Sequence, residues 1–361
     1  MGGGEEGARV GKMKNRLRVV HVGCGSIAAE WLRAAAQVTE MELVGFADLN
    51  EEAARARRDE FAPDARAGSD AAALIGGMRP DIVFNCTTPA AHHGVSRAAL
   101  RAGAHVLSEK PLAATLAQGR DLVDEAAKAH RLLAVSQNYR YRAAPRTVRE
   151  VLVSGAIGHV TTMTCDYFDA LHFGNFRDTM EHPLLVEMAI HHFDLARFFG
   201  ADEPTRVDCC EWNPAGSWYR HGASAFATFQ FASDLVFSYR GSWCAEGCAT
   251  AGNGEWRFGG TKGTLMWDGA ERIVVETVAR AGGFKSELTS QFIPVRAAPE
   301  ADESWVSVMR EFVDCIGTGR QPETAAQDNV RSLAMVSAAL ADVKARRGPR
   351  RIGCSTMASL A

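Results

Sequence analysis

Glu109 and Lys110, in the run Ser108-Glu109-Lys110-Pro111, stand about 80 residues after a glycine-rich turn and about 80 before a stretch carrying Glu187 and His191. A cationic lysine at a strand end can bond a reacting oxygen and stabilise the charge that it gains, while the neighbouring acid can hold a ribose. A histidine near its ordinary pKa of about 6.5 can take a hydroxyl proton as hydride leaves. Glu187 and His191 are four apart and so share one face of a helix, and Asp194 follows on nearly the same stripe, where it can help orient the imidazole. His192 points about 100° away and reads as a packing or rim residue. Lys110, Glu187 and His191 are therefore the expected catalytic and substrate-contacting residues of a redox site, with Pro111 keeping the lysine aimed.

That chemistry needs a hydride carrier, and the sequence offers a place for one. Gly23-Cys24-Gly25-Ser26-Ile27-Ala28 follows the apolar run Leu17 to Val22 and precedes the helix-like Ala29 to Val38. The chain must turn sharply at Gly23, the backbone at Gly25 must approach a diphosphate, and a small residue at position 28 lets the helix pack. Free N–H groups at that helix start, including those near Ser26 and Ile27, face the anion. Asp48 closes the next apolar run 20 residues beyond Ala28, where an acid bonds the adenosine ribose hydroxyls. NAD is the expected cofactor; Arg55 or Arg57 could accept a 2′-phosphate, which keeps NADP as the alternative.

The elements that must position these groups follow from the apolar pattern. Strands are expected at Leu17–Val22, Leu43–Ala47, Asp81–Cys86, Ala104–Leu107 and Leu132–Ser136, separated by helix-like segments such as Thr115–Ala129. Strands alternating with helices imply right-handed crossovers and a parallel, doubly wound Rossmann sheet. Ligands of such sheets bind beyond the carboxyl ends of the strands, which puts Gly23, Asp48, Thr87, Glu109 and Gln137 along one edge. After Ser154-Gly155 the pattern changes. Alternating runs at Val160–Phe168, Thr205–Trp212, Ala223–Phe231, Leu235–Trp243 and Thr264–Trp267 enclose one helix, Leu184 to Phe199, and imply a large, mostly antiparallel open sheet in an α+β domain. Trp305 to Ile316 and Asp328 to Arg346 read as closing helices. The expected organisation is a disordered segment 1–15, a cofactor domain 16–142 and a substrate-binding and oligomerisation domain 143–361. Six tryptophans after residue 200 make a broad interface credible, and a homodimer or homotetramer is expected.

Composition narrows the function classes. A net charge of −3 offers nucleic acid or an anionic membrane no broad basic surface. No apolar run approaches the ~18 residues of a membrane span, and Met1 to Asn15 lacks the apolar region of a signal peptide. Nine scattered cysteines, an odd number, do not form a disulfide framework, and a cytoplasmic location follows as the default. Cys244 and Cys248, or Cys209 and Cys210, lack a second pair at zinc-site spacing. His182, Glu187, His191, His192 and Asp194 lack the His-Glu-x-x-His pattern, and no metal is expected.

Three motifs in order carry a more specific resemblance: Gly23 to Ala28; Thr87-Thr88-Pro89 with His92, leading through Gly103 and His105 into Glu109-Lys110-Pro111; and Glu187-Met-Ala-Ile-His191-His192-Phe-Asp194. Over about residues 17 to 345 the chain resembles the Gfo/Idh/MocA family, the glucose-fructose oxidoreductase, inositol dehydrogenase and rhizopine-catabolism group. The resemblance implies hydride transfer between a nicotinamide and a secondary alcohol of a sugar, cyclitol or related polyol. It places Thr87, Thr88, Pro89 and His92 along the cofactor and makes His191 the general acid/base. The family's usual acid at position 187 is aspartate, so this chain departs by one methylene. Gln137-Asn138-Tyr139-Arg140 is expected at the nicotinamide or substrate. Tyr167, His172, Arg177, Trp218, Tyr219 and Trp243 offer aromatic faces and donors suited to a sugar ring, Tyr167 and Arg177 being the expected substrate contacts. Two other readings share the fold: a glycosidase that oxidises and re-reduces a held cofactor to drive elimination, and a non-catalytic cofactor-sensing regulator. A binding-only protein would gain nothing from the lysine–histidine pair.

Overall fold

Leu17–Val22 forms strand β1, whose last four residues are buried on both faces, as a central parallel strand must be. The computed structural model describes residues 16–296 and 304–345, so the expected disorder of residues 1–15 lies outside the described residues. Helix α1 (Ser26–Ala35) follows the glycine turn and packs through Ala28, Ala29, Trp31 and Leu32. Then come β2 (Met41–Ala47), α2 (Glu51–Phe61), β3 (Arg66–Gly68), α3 (Ala71–Met78), β4 (Ile82–Asn85), α4 (Pro89–Arg101), β5 (His105–Ser108), α5 (Leu116–Ala129) and β6 (Leu133–Val135). The strands lie in the order β3-β2-β1-β4-β5-β6, all parallel. The winding reverses between β1 and β4, which opens a crevice at their carboxyl ends. β3 and α3 were not anticipated; Arg66–Gly68 is only three residues long and carries no apolar run.

The second region begins with a 3₁₀ turn, Asn138–Tyr141, and α6 (Ala143–Val153). It continues with β7 (Val160–Phe168), a π-helical segment Leu184–Ala189 running into α7 (Ile190–Gly200), then β8 (Pro204–Trp212), β9 (Ser224–Phe231) and β10 (Val236–Ser242). β11 (Glu255–Gly260), β12 (Gly263–Trp267), β13 (Ile273–Arg280) and β14 (Glu287–Ile293) complete an eight-stranded sheet in the order β14-β13-β12-β11-β7-β10-β9-β8. Its pairings are antiparallel except β7 with β10.

One face of this sheet carries Tyr167, Phe229, Phe237, Tyr239, Trp256, Phe258 and Trp267 against α7, whose residues Ile190 to Phe199 are all buried. Each such ring removed from water contributes roughly 1.5–3 kcal/mol. The tryptophans therefore belong mainly to the core, contrary to their expected place at an interface: Trp243, Trp256 and Trp267 are buried, whereas Trp212 is exposed. The opposite face shows Phe226, Met266, Val278, Leu288 and Phe292.

The closing helices α8 (Ser304–Thr318) and α9 (Ala326–Ala345) depart from the expected division at residue 143. Val306, Met309 and Phe312 share a core with Val19, Trp31 and Phe84 of the first sheet, and Leu333 packs with Leu112, Leu122 and Val135. Met335 and Val336, on the other side of α9, enter the core of the second region. The helix is a common wall.

Candidate active site

Lys110 leaves β5 through a cis peptide bond to Pro111 and projects toward the π-helical segment. Its Nζ donates to the backbone oxygen of Glu187 at 2.9 Å and lies 3.3 Å from Glu187 Oε2. The same carboxylate oxygen accepts from Arg177, with Nε at 3.0 Å and Nη2 at 2.9 Å. Glu187 is only 5% exposed; burial alone would raise its pKa, but Lys110 and Arg177 outweigh that cost and hold the carboxyl below its ordinary value. The expected simple helix over 184–199 is corrected here. The π-helical segment changes the register ahead of His191, and such wide turns recur at functional sites.

His191 is 7% exposed, stacked on Tyr139 with ring centroids 4.2 Å apart, and its Nδ1 lies 3.3 Å from Gln137 Nε2. That contact leaves Nε2 as the nitrogen able to exchange a proton with a ligand. Burial, followed by the charges of Lys110, His192 and Arg142, pushes the imidazole well below its usual pKa, so the ring is neutral near pH 7. Arg142 lies over the other ring of this stack, 3.6 Å from the Tyr139 centroid.

Behind the lysine, the structure spends several polar groups on position. Trp31 Nε1 donates to Glu109 Oε1 at 2.7 Å, and the Lys110 backbone N–H donates to Glu109 Oε2 at 2.9 Å. His92, expected along the cofactor, is instead fully buried, with Nδ1 2.6 Å from Pro111 O and Nε2 3.0 Å from Thr87 O. It ties the end of β4 to the turn that carries Lys110. Gln137 is likewise fully buried rather than lining a cofactor surface, because its amide is taken by His191 and Asn329. Tyr167 is 2% exposed with its hydroxyl between Trp243 and Asp169, which places it in the wall and not on the ligand side. Asp194 does not orient His191: it is buried against Arg140, at 2.6 and 2.7 Å. His192 packs as expected, 3.1 Å from Gly252 O and against Tyr167 and Tyr239.

The structure thus brings Lys110, Glu187, Arg177, His191 and Tyr139 together, with Glu109 directly behind. His172 stacks on Trp218 and pairs with Glu246 in a loop region that also holds Tyr219. The roles of Trp31 and Asn329 had no signal in the sequence, since each works through a partner distant along the chain.

The crevice at the strand ends fits a dinucleotide. Gly23 has φ +95°, and a Cβ there would come within 2.5–2.6 Å of the Cys86 and Thr87 backbone, whereas one at Gly25 would meet open space. Asn50, Asp70 and Thr115 cap α2, α3 and α5 with their side chains, but α1 and α4, which start at the crevice, have no side-chain cap. Their first N–H groups remain available to a diphosphate. Ser26 is exposed and Ile27 half-buried at the start of α1, and Thr87, Thr88 and Pro89 form the opposite lip. Asp48 accepts from Cys24 N at 2.7 Å and Asn50 N at 2.8 Å, so it fixes the glycine turn while each oxygen retains a lone pair. Arg57 reaches the Gly25 carbonyl at 3.5 Å, whereas Arg55 pairs with Glu51.

Residues 17–137 match a family model described as the oxidoreductase family with an NAD-binding Rossmann fold, and residues 146–266 match the GFO/IDH/MocA C-terminal domain. The chain is similar to a D-apiose dehydrogenase of Paraburkholderia graminis, 27% identical over 337 residues that cover 90% of this chain and 86% of that protein. It is also similar to a D-glucoside 3-dehydrogenase of Escherichia coli, 31% identical over 239 residues, covering 60% and 67%. Among solved structures, an oxidoreductase from Agrobacterium radiobacter in complex with NAD+, L-tartaric acid and magnesium shares the fold, with a TM-score of 0.82 at 21% identity, covering 92% and 97%.

Proposed function

This chain belongs to the Gfo/Idh/MocA family of NAD(P)-dependent oxidoreductases, and on that premise we propose that it oxidises a secondary alcohol of a sugar, cyclitol or related polyol, with NAD as the preferred acceptor. The observation that carries this reading is the Lys110–Glu187 pair beside a neutral, buried His191, at the strand edge where the dinucleotide crevice opens. The relatives named above act on sugars or glycosides, which supports the substrate class.

Bound nicotinamide supplies the acceptor for the hydride. The protein's part begins with Lys110, whose ammonium bonds the substrate oxygen and lowers the cost of its alkoxide character. Glu187 and its own carbonyl hold that ammonium in place, and Arg177 keeps the carboxylate ionised. His191 Nε2 takes the hydroxyl proton as the C–H bond breaks and the C–O bond becomes a carbonyl; in reduction the proton returns by the same route. Glu109, braced by Trp31, can accept from a ribose hydroxyl on the cofactor side. Asp48 favours the free 2′-hydroxyl of NAD. The exposed apolar face of the second sheet is suited to self-association, so a homodimer or homotetramer is part of the proposal.

A screen of sugars, cyclitols and glycosides with NAD and NADP, read by absorbance of reduced nicotinamide, tests the reading, with sedimentation for the oligomer. Steady reduction of NAD by a polyol, abolished in His191→Asn, is the expected result. Binding of NAD without turnover of any alcohol in a broad panel would overturn it.

A further inference from the structure

Asn329 lies in the first turn of α9, is fully buried, and donates through Nδ2 to Gln137 Oε1 at 3.3 Å. Gln137 follows β6 and is also fully buried; its Nε2 lies 3.3 Å from His191 Nδ1 and 3.5 Å from Ile190 O. Asn329 Oδ1 is buried without a hydrogen-bond partner. Three separate elements therefore place two amides and one imidazole in a row.

An amide has one accepting and one donating end of nearly equal size, whereas a neutral imidazole has one nitrogen of each kind. In the order seen, Asn329 donates to Gln137 and Gln137 donates to Nδ1, so the imidazole proton sits on Nε2. That tautomer can donate a hydrogen bond from Nε2 but has no lone pair there to take a hydroxyl proton. If both amides turn over, Gln137 donates to Asn329 Oδ1 and its own oxygen accepts from Nδ1–H, which leaves Nε2 bare. That tautomer can take the hydroxyl proton at Nε2 as an alcohol is oxidised, and the imidazolium so formed returns it in reduction, so one tautomer serves both directions. We propose that Asn329 is a positioning residue that acts through Gln137 to select the tautomer of His191, and so whether Nε2 is bare and able to act as the base. The inference rests on His191 as the acid/base of the reading above.

The test needs no substrate. Protein labelled with ¹⁵N-histidine would be compared by NMR as wild type, Asn329→Leu and Gln137→Glu, with His191 identified by the signals lost in His191→Asn. Wild type should show His191 with its proton on Nε2. Gln137→Glu, which can only accept, should move that proton to Nδ1, and Asn329→Leu should give a mixture of tautomers while Tm and NAD affinity stay close to wild type. An unchanged His191 tautomer in a folded Asn329→Leu protein would overturn the proposal; should that variant fail to fold, an unchanged tautomer in Gln137→Glu would do so. With a substrate in hand, Asn329→Leu should raise kcat in both directions with little change in KM, because a larger share of the protein then carries a bare Nε2. A tautomer shift without any alcohol turnover would instead fault the redox reading and leave the coupling standing.

Discussion

Glu187 and Asp194 are two carboxylates on one continuous helical stretch, each buried between two cations, yet they do different things. Asp194 is closed on every side: Arg140 grips it with two nitrogens, Ser332 donates to Oδ1 at 2.6 Å, and Arg197 lies 3.7 Å away. Asp328 reaches both arginines, at 3.0 Å from Arg140 and 2.7 Å from Arg197. Every charge there has its counterpart inside the protein. Glu187 also has two cations, but Lys110 and Arg177 are part-exposed, at 16% and 28%, and face the cleft. The first cluster joins α7, α9 and the 3₁₀ turn. The second keeps a lysine aimed and incompletely satisfied, which is the condition in which it gains most from a developing negative oxygen.

The largest effect should come from breaking the closed cluster. Asp194→Ala leaves Arg140 and Arg197 sharing only the part-exposed Asp328, and breaking a buried ion pair from one side costs about 3–5 kcal/mol. Chemical denaturation should show that loss, together with activity falling in proportion to the unfolded fraction; a variant as stable as wild type would mean that Asp328 alone suffices. Next in size, Lys110→Ala in the open cluster should lower turnover by ~10²-fold or more with NAD binding and Tm nearly unchanged. Equal losses of stability in the two variants would erase the distinction between the clusters.

A smaller effect is expected from Glu187→Asp. The shorter arm can hold Lys110 or Arg177 but not both in their present places, and a displacement of about 1 Å costs up to ~10²-fold, so turnover should fall by ~10–10²-fold without unfolding. Unaltered kinetics would show that the extra methylene is not matched to this substrate. The smallest effect is on pH dependence. Burial is the main cause that holds His21, His105 and His192 at about 4, and His191 well below 6.5. The unfolded chain, with values near 6.5, then binds more protons as pH falls. Stability from these groups is full above about pH 6.5 and declines as pH drops toward 4. Tm scans across that interval should fall, and His191→Asn should flatten part of the slope; a rise on acidification would contradict the burial of these rings.

The open cluster was legible in the sequence and the closed one was not, for a physical reason. Lys110, Glu187 and His191 sit in short local patterns whose chemistry can be read before any fold is known. Asp194, by contrast, gets its meaning from Arg140, 54 residues back, and Ser332, 138 residues on. His92 and Gln137 follow strand ends as expected, but whether a polar side chain faces the ligand or braces the turn depends on packing. The parallel sheet was readable because its buried strands are continuous apolar runs. Glu255–Gly260 hides two glycines and two charges in a strand, and Glu287–Ile293 is almost wholly exposed, so neither carried the pattern.

The return of α8 and α9 to the first sheet bears on how the chain comes off the ribosome. The glycine turn, Asp48 and Lys110 all precede α8 in the chain, but Trp31, which braces Glu109, shares its core with Val306, Met309 and Phe312 of that helix. That core cannot close until the chain through Phe312 has emerged. Synthesis therefore completes the cofactor side and the substrate side together, and a chain released too soon lacks the layer that sets the lysine in place.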